Sequence, residues 1–424
     1  MTKTHILRFA SLSRGWIDDC AMGSCRKQDS SFIRIPNPFV IKKSQFCAAI
    51  SICCLWLEIA VPSRGIVFTI TIGDGHKKNF RNFTPASAYV GRLAPAPTGA
   101  LHLGNARTFL VAWLRARLAG GRLLLRLEDL DHPKMKPGAA IEAYRDLSWL
   151  GLDWDAGPDA SFPPFASHSV SCGESCDKTF VQSHRTAFYA SFLDRLRRDG
   201  RAYPCACSRK DLESFRSAPN AGEDLTECRY PGTCRDRFDS VAAARAVAGC
   251  REIGWRFRLE DEASERFVDG FFGHQEIRLD SWSGDFLIAR GKQAGYQLAV
   301  VADDSAQGVT EVVRGADLLP STGRQLALYR SLDLEPPAFF HVPLVTGPDG
   351  RRLAKRHGDS RLSRLRNAGR TPERVLGWLA KSLRWQENPG PTTLAEICAA
   401  CAFDRIPRVP IMATPEDLAW LGMD

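Results

Sequence analysis

Tyr89-Val90-Gly91-Arg92-Leu93-Ala94-Pro95-Ala96-Pro97-Thr98-Gly99-Ala100-Leu101-His102-Leu103-Gly104-Asn105 opens the part of the chain whose pattern decides its fold. Tyr89 to Leu93 reads as a short strand, ended by the Pro/Gly-rich loop Ala94 to Gly99. Leu103, Ala106, Leu110, Trp113, Leu114 and Leu118 then recur at three- and four-residue steps, the apolar face of a helix. Gly120-Gly121 stops that helix, and the apolar run Leu123 to Leu127, interrupted by Arg126, suits a buried parallel strand. Strand, loop, helix and strand make a βαβ unit, so the fold class expected is α/β.

Further along, Tyr296 to Ala302 reads as a strand, Val309 to Val313 as another, and Leu318 to Leu328 as a helix. Between the two regions, residues 200–290 hold a Cys cluster and short strands, the texture of an insertion. Residues 157–180 are rich in Ser, Pro and Phe and read as an irregular loop, with Cys172 and Cys176 as unrelated thiols. Residues 1–87 mix Ser, Arg and Cys without sustained periodicity, and read as a disordered or non-native extension, with a targeting or anchoring role as the alternative.

At 424 residues the chain has room for two or three domains of about 150 residues each. With 44% hydrophobic and 25% charged residues it matches ordinary globular composition. Residues 1–87 carry +7 of the net charge of +9, which leaves the body nearly neutral. Any nucleic acid must then be held by a local basic surface rather than by global attraction. The most apolar stretch, Phe46 to Val61, is 16 residues long and contains Glu58, short of the roughly 18 needed for a membrane span. The 14 Cys do not imply a disulfide scaffold in so large a chain without a secretory pattern, and the expected compartment is the cytoplasm.

Three groups of residues carry chemistry. The start of the helix after Gly99 is a place for phosphate, because a helix N-terminus offers backbone N–H groups and the positive dipole end. There His102 can donate to a phosphate or ribose oxygen, and Gly104 leaves room for a nucleotide to approach; an ordinary surface helix start is the plain alternative. Arg92 and Glu128 stand at strand ends, where ligands of open α/β sheets bind. A guanidinium grips a carboxylate and a carboxylate accepts from an α-ammonium, so the pair suits an amino acid, although two solvated charges fit equally. Third, Cys205-Ala206-Cys207 followed by Tyr230 and Cys234 has the thiolate density of a closed structural zinc site. Cys228 is an alternative to Tyr230 as its fourth ligand.

Ala94 to Asn105 resembles the first signature of the glutamyl-type class I aminoacyl-tRNA synthetases, and Leu125-Arg126-Leu127-Glu128-Asp129-Leu130-Asp131 is similar to the strand-end motif that follows it. Tyr296 to Asp304 and Val309 to Leu318 resemble the second-half signatures, and Arg351 to Arg356 the lysine loop. The resemblance implies a Rossmann-like doubly wound parallel sheet with an inserted zinc-bearing α+β subdomain. It implies ATP binding by Pro97, His102, Gly104, Asn105 and Lys355, with His102, Asn105 and Lys355 catalytic, and Mg²⁺ on the phosphates. It places glutamate at Arg92, Ala96, Glu128, Tyr296 and Arg314, and structural zinc at Cys205, Cys207, Tyr230 and Cys234. A structural ion pair of Arg314 with Asp317 or Asp304 is the alternative to substrate contact. The chain departs from the family pattern at Ala96, Arg352, Ala354 and Arg356, which keeps cationic charge in the loop but loses two hydroxyls.

The domains expected are an extension (1–87), the first catalytic half (88–199), the zinc-bearing insertion (200–290), the second catalytic half (291–350), and the lysine loop with a short helical C-terminal part (351–424). The 68 residues after Arg356 are too few for an anticodon-reading region. That matches the short members of the family, which implies glutamate activation by ATP and transfer to the queuosine base of tRNA(Asp), by a monomer and without a membrane. The alternatives are charging of a tRNA 3′ end, or an inactive zinc-bearing RNA-binding module.

Overall fold

The computed structural model describes residues 89–130, 135–158, 178–208, 210–211, 229–347, 350 and 360–423, together with strand backbone between residues 33 and 83. The chain divides into two units, Met1–Ala88 and Tyr89–Asp424. In the first, strands Leu55–Ala60, Ile66–Ile72 and His76–Phe83 pair antiparallel in that order. Most of the extension read at 1–87, and the loop at 159–177, lie outside the described residues. Among the described residues no helix is long and apolar enough to cross a membrane.

The second unit begins with β1 (Val90–Leu93), α1 (Leu103–Leu118) and β2 (Arg122–Leu125), and β1 and β2 pair in parallel across the α1 crossover. The amphipathic periodicity marked α1 to the residue. Gly120 takes φ of +62° just past its C-cap, and a Cβ on Gly121 would stand 2.4 Å from the Tyr89 carbonyl oxygen, so the pair both ends the helix and admits β1.

Helices α2 (Ala139–Trp149) and α3 (Thr186–Arg198) follow, then β3 (Ala202–Cys205), α4 (Val241–Ala248) and β4 (Gly254–Phe257). After the hairpin β5 (Ser264–Asp269) and β6 (Gly273–Arg278) comes β7 (Phe286–Arg290), and β3, β4 and β7 form an antiparallel patch. Next come α5 (Tyr296–Ala306), β8 (Glu311–Gly315), α6 (Leu319–Ser331) and β9 (Ala338–Val342). Strands β8 and β9 run parallel, and β5 joins β9 by a parallel step at Asp269 opposite Phe339. Thr310 N–H donates to Val90 O at 2.9 Å, which ties the entry of β8 to β1.

Successive residues of these strands alternate between two cores. Leu123, Leu125, Val313 and Phe340 pack with α1, α2 and the later helix α7 (Pro372–Ser382), whereas Leu124, Val312 and Phe339 pack with α3, α5 and α6. The parallel strands therefore lie between helices on both faces, which leaves the carboxyl ends of β1 and β8 open for a site.

The stretch Tyr296 to Ala302 is helical, not the strand its apolar run suggested. Gln297 to Asp304 are all buried in α5, so the polar stripe that reveals a helical period is missing, and a short apolar run with Val300-Val301 then reads as β.

Arg107 of α1 is 1% exposed and has no acidic partner among the described residues. It donates to Ser382 Oγ and Ser382 O, both at 3.2 Å, and to Pro343 O, and burial pushes its pKa down to about 10. One side chain thus clamps α1, the segment after β9 and the end of α7.

Candidate functional site

A cavity of about 160 Å³ opens at the carboxyl ends of β1 and β8, and its wall includes Arg92, His102, Glu128, Tyr296 and Arg314. These five come from separate stretches of sequence and meet because parallel neighbours end on the same side of a sheet. Gly104 and Asn105 border the same cavity. Pro97 is buried and Ala96 exposed in the loop leading to it. Lys355 lies outside the described residues.

Arg92 is 4% exposed; it donates to Val313 O at 2.9 Å and stands 3.7 Å from the Asp304 carboxylate. Beneath it Arg126, fully buried, donates to Asp304 at 2.7 Å, Gln307 at 2.9 Å and Glu128 at 3.0 Å, with Asp303 at 3.8 Å. Burial alone would lower the Arg126 pKa, but the surrounding carboxylates outweigh it and hold it well above the usual arginine value. Burial raises the Glu128 pKa, more than Arg126 and Arg92 lower it.

Arg314 is also 4% exposed, and among the described residues no carboxylate pairs with it. Its Nε donates to His341 Nε2 at 3.0 Å, one terminal nitrogen to Gln325 Oε1 at 2.8 Å and the other to Thr322 Oγ1 at 2.7 Å. The ion pairs with Asp317 or Asp304 that the sequence left open are not formed. Asp304 serves Arg92 and Arg126 instead. Burial pushes the Arg314 pKa down, and the nearby charge of Arg92 adds to that. Burial likewise keeps the Tyr296 phenol protonated by raising its pKa.

His102 is the N-cap of α1. Its Nδ1 accepts from Gly104 N–H at 3.1 Å, and Asn105 Oδ1 accepts from His102 N–H at 3.1 Å, a capping box built from His and Asn. With Nδ1 an acceptor, the neutral ring carries its proton on Nε2 and is a donor there. Leu103 N–H donates to Ser360 O at 3.1 Å, so the first three amides of α1 all have protein acceptors rather than being open to phosphate as the sequence suggested. A Cβ on Gly104 would meet the His102 ring at 3.0 Å, so this glycine makes room for His102. Segment 360–362, just past the lysine-loop sequence, is bonded along residues 101–103.

Away from the cavity, the thiols of Cys205, Cys207 and Cys234 lie within 4.8 Å of one another. Tyr230 Oη is 3.6 Å from Cys205 Sγ and 3.7 Å from Cys207 Sγ, and Cys207 and Cys234 Sγ are 3.5 Å apart. Four donors at these separations can hold one tetrahedral metal ion, since bonds of about 2.3 Å put sulfurs about 3.8 Å apart. Cys228, the other candidate ligand, lies outside the described residues. Arg256 Nε donates to Cys205 Sγ at 3.3 Å and its guanidinium stacks 3.4 Å from the Tyr230 ring centroid. Burial would raise the Cys205 pKa, but Arg256 outweighs it and holds the thiol below its usual value.

Residues 89–399 match the family described as tRNA synthetases class I (E and Q), catalytic domain. The chain belongs to this family. A relative from Symbiobacterium thermophilum named glutamyl-Q tRNA(Asp) synthetase is 46% identical over 333 residues, covering 78% of this chain and 98% of its own. One of the same name from Nitratidesulfovibrio vulgaris is 47% identical over 291 residues, 68% of this chain and 85% of its own. The solved glutamate tRNA ligase of Elizabethkingia meningosepticum, in complex with its amino acid, is 22% identical, with a TM-score of 0.62 over 78% of this chain and 68% of that one. That last likeness speaks for the fold. Behind the cavity wall, around Arg314, lie residues that sequence reasoning passed over: Asp269, His341, Thr322 and Gln325. A lone His in the apolar run Phe339 to Leu344 gave no signal until β8 and β9 were seen as neighbours.

Proposed function

We propose that this class I synthetase activates glutamate with ATP and transfers it to the queuosine base at the first anticodon position of tRNA(Asp), the activity named for its relatives. The layered parallel sheet is then the Rossmann-like, doubly wound nucleotide-binding sheet of the class, and the antiparallel patch with the Cys cluster its inserted subdomain.

One observation above all supports the reading: a buried Arg314 with only neutral acceptors, sharing a cavity with Arg92 and Glu128. A cation so placed is left for an anionic ligand to neutralise, and a side-chain carboxylate does this where a carboxamide does not. In the proposed pose Arg314 and Tyr296 receive the side-chain carboxylate, Arg92 steadies the α-carboxylate, and Glu128 accepts from the α-ammonium. Ala96 and Pro97 border the substrates from the loop. The α-carboxylate attacks the α-phosphate of ATP, which enters as its magnesium complex, and pyrophosphate leaves. Attack by a queuosine hydroxyl on the acyl carbon then forms the ester and releases AMP.

The attacking carboxylate is already ionised, so positioning and charge neutralisation carry the first step. His102, through Nε2–H, and Asn105 and Gly104 at the head of α1 take the nucleotide, and Lys355 meets the charge that grows on pyrophosphate. Zinc is the ion proposed for Cys205, Cys207, Cys234 and Tyr230, in a structural role. The protein is proposed to act as a monomer in the cytoplasm.

The test is incubation with labelled glutamate, ATP and queuosine-containing tRNA(Asp), followed by nucleoside analysis. Label on the queuosine nucleoside is expected. Label confined to the 3′-terminal adenosine, or no glutamate-dependent exchange of pyrophosphate into ATP, overturns the reading.

A further inference from the structure

We propose that Asp269 and His341 form a buried orienting pair that fixes the guanidinium of Arg314 for its anionic substrate without neutralising it. The inference rests on the reading of Arg314 as the grip on the substrate side-chain carboxylate, and names two positioning residues for it.

Three neighbouring strands carry the relay. Arg314 on β8 lies directly opposite His341 on β9, and β9 is flanked on its other side by β5, which ends at Asp269. His341 is fully buried and Asp269 is 1% exposed, so neither is a solvated bystander. Asp269 Oδ1 accepts from the amides of Phe271 at 2.9 Å and Phe272 at 2.8 Å, and Oδ2 from His341 N–H at 3.2 Å and the His341 ring Nδ1 at 2.6 Å. A carboxylate ringed by N–H donors is held ionised, and facing Nδ1 it keeps the ring proton there. Nε2 is then a lone pair, the only state in which it accepts from Arg314 Nε at 3.0 Å. Thr322 closes the ring, accepting from Arg314 at 2.7 Å and lying 3.2 Å from Nε2.

Charge explains why an imidazole stands between the acid and the guanidinium. A carboxylate in direct contact would fix Arg314 equally well but would pair with it, and the substrate would have to compete with that anion. Through a neutral ring the acid sets direction while the cation stays uncancelled.

Asp269→Asn separates this role from simple packing. The Phe271 and Phe272 amides that meet Oδ1 are fixed donors, so the Asn oxygen faces those two, and its NH₂ then takes the Oδ2 position facing His341 Nδ1. The ring proton moves to Nε2 and meets the Arg314 Nε–H donor, the tautomer error that an Asp→Asn change causes in an Asp–His pair. In glutamate-dependent ATP–pyrophosphate exchange with the full chain, the variant is expected to raise glutamate KM about tenfold or more. ATP KM and the rate at saturating glutamate should stay within about threefold of the parent. His341→Leu, which has no acceptor, should show the same split, and His341→Gln, whose amide oxygen can meet Arg314 Nε, should recover most of the affinity. Glutamate KM within about twofold of the parent in both Asp269→Asn and His341→Leu, or equal losses for glutamate and ATP, overturns the proposal. If exchange by the parent protein does not depend on glutamate, the underlying reading fails; if it does, and Arg314→Ala loses glutamate affinity while Asp269→Asn does not, the orienting pair alone fails.

Discussion

Replacing Arg126 by Met removes a fully buried cation from beneath the cavity while keeping side-chain length, and tests whether a charge hub supports the pocket. Its three carboxylates are left unequally provided. Asp303 keeps Arg185 at 2.8 Å, Gln182 at 2.8 Å and Tyr189 at 2.8 Å. Among the described residues Asp304 keeps only the distant Arg92 at 3.7 Å as a cationic partner, and Glu128 loses its one side-chain donor. Breaking a buried ion pair from one side costs about 3–5 kcal/mol, and with Asp303 keeping the Arg185 charge beside it the loss should fall in that range rather than at several times it. The sign of its pH dependence is set by the stranded acids. Glu128 already has a raised pKa from burial, and without Arg126 it rises further in the folded protein, above its unfolded value. The folded variant then binds protons that the unfolded chain releases, so its stability falls as pH rises through that window. Urea unfolding followed by tryptophan fluorescence at about pH 5.5 and about pH 8 measures both effects, the deficit being larger at the higher pH. A loss under about 1 kcal/mol, equal at both pH values, would refute the hub.

Lys355→Ala is expected to lower the rate of ATP–pyrophosphate exchange about a hundredfold or more, with glutamate affinity nearly unchanged, as titration of glutamate in the exchange assay will read. Gly104→Ala gains about 1 kcal/mol of helix propensity but drives a methyl into the His102 ring and weakens the cap by a similar amount, so stability should hold while ATP KM rises several-fold in steady-state kinetics. One zinc per chain is expected by elemental analysis. Its removal by a chelator should lower the melting temperature and speed proteolysis near Cys205 and Cys234, and full activity and unchanged melting of a verified zinc-free sample would count against a structural metal.

The crossover β1–α1–β2 was legible because its signals are local: an amphipathic period of 16 residues, a glycine pair at the stop, and an apolar run beyond. Helix α5 was misread because burial on every side erases the period on which such reading depends. In the cavity, Arg92, Glu128, Tyr296 and Arg314 could be picked out together because they sit in contiguous motifs. Arg126 lies within one of those motifs and drew no notice, since a strand-end arginine advertises neither the carboxylates of Asp303 and Asp304, far along the chain, nor its complete burial. Asp269 and His341 are 72 residues apart and meet only through strand pairing, which no sequence spacing announces. The capping box at His102 escaped notice because histidine is not among the residues usually sought at an N-cap.

Arg107 gives the C-terminal helices a stake in the chemistry. Its guanidinium draws on Ser382 for two of its three acceptors, so a shortened chain lacking α7 would strand a buried cation inside the very helix whose first turn carries His102 and Asn105. Its remaining acceptor, Pro343 O, belongs to the cavity wall. Minimal versions of this catalytic unit must therefore extend through Ser382, because trimming the tail loosens α1 from behind.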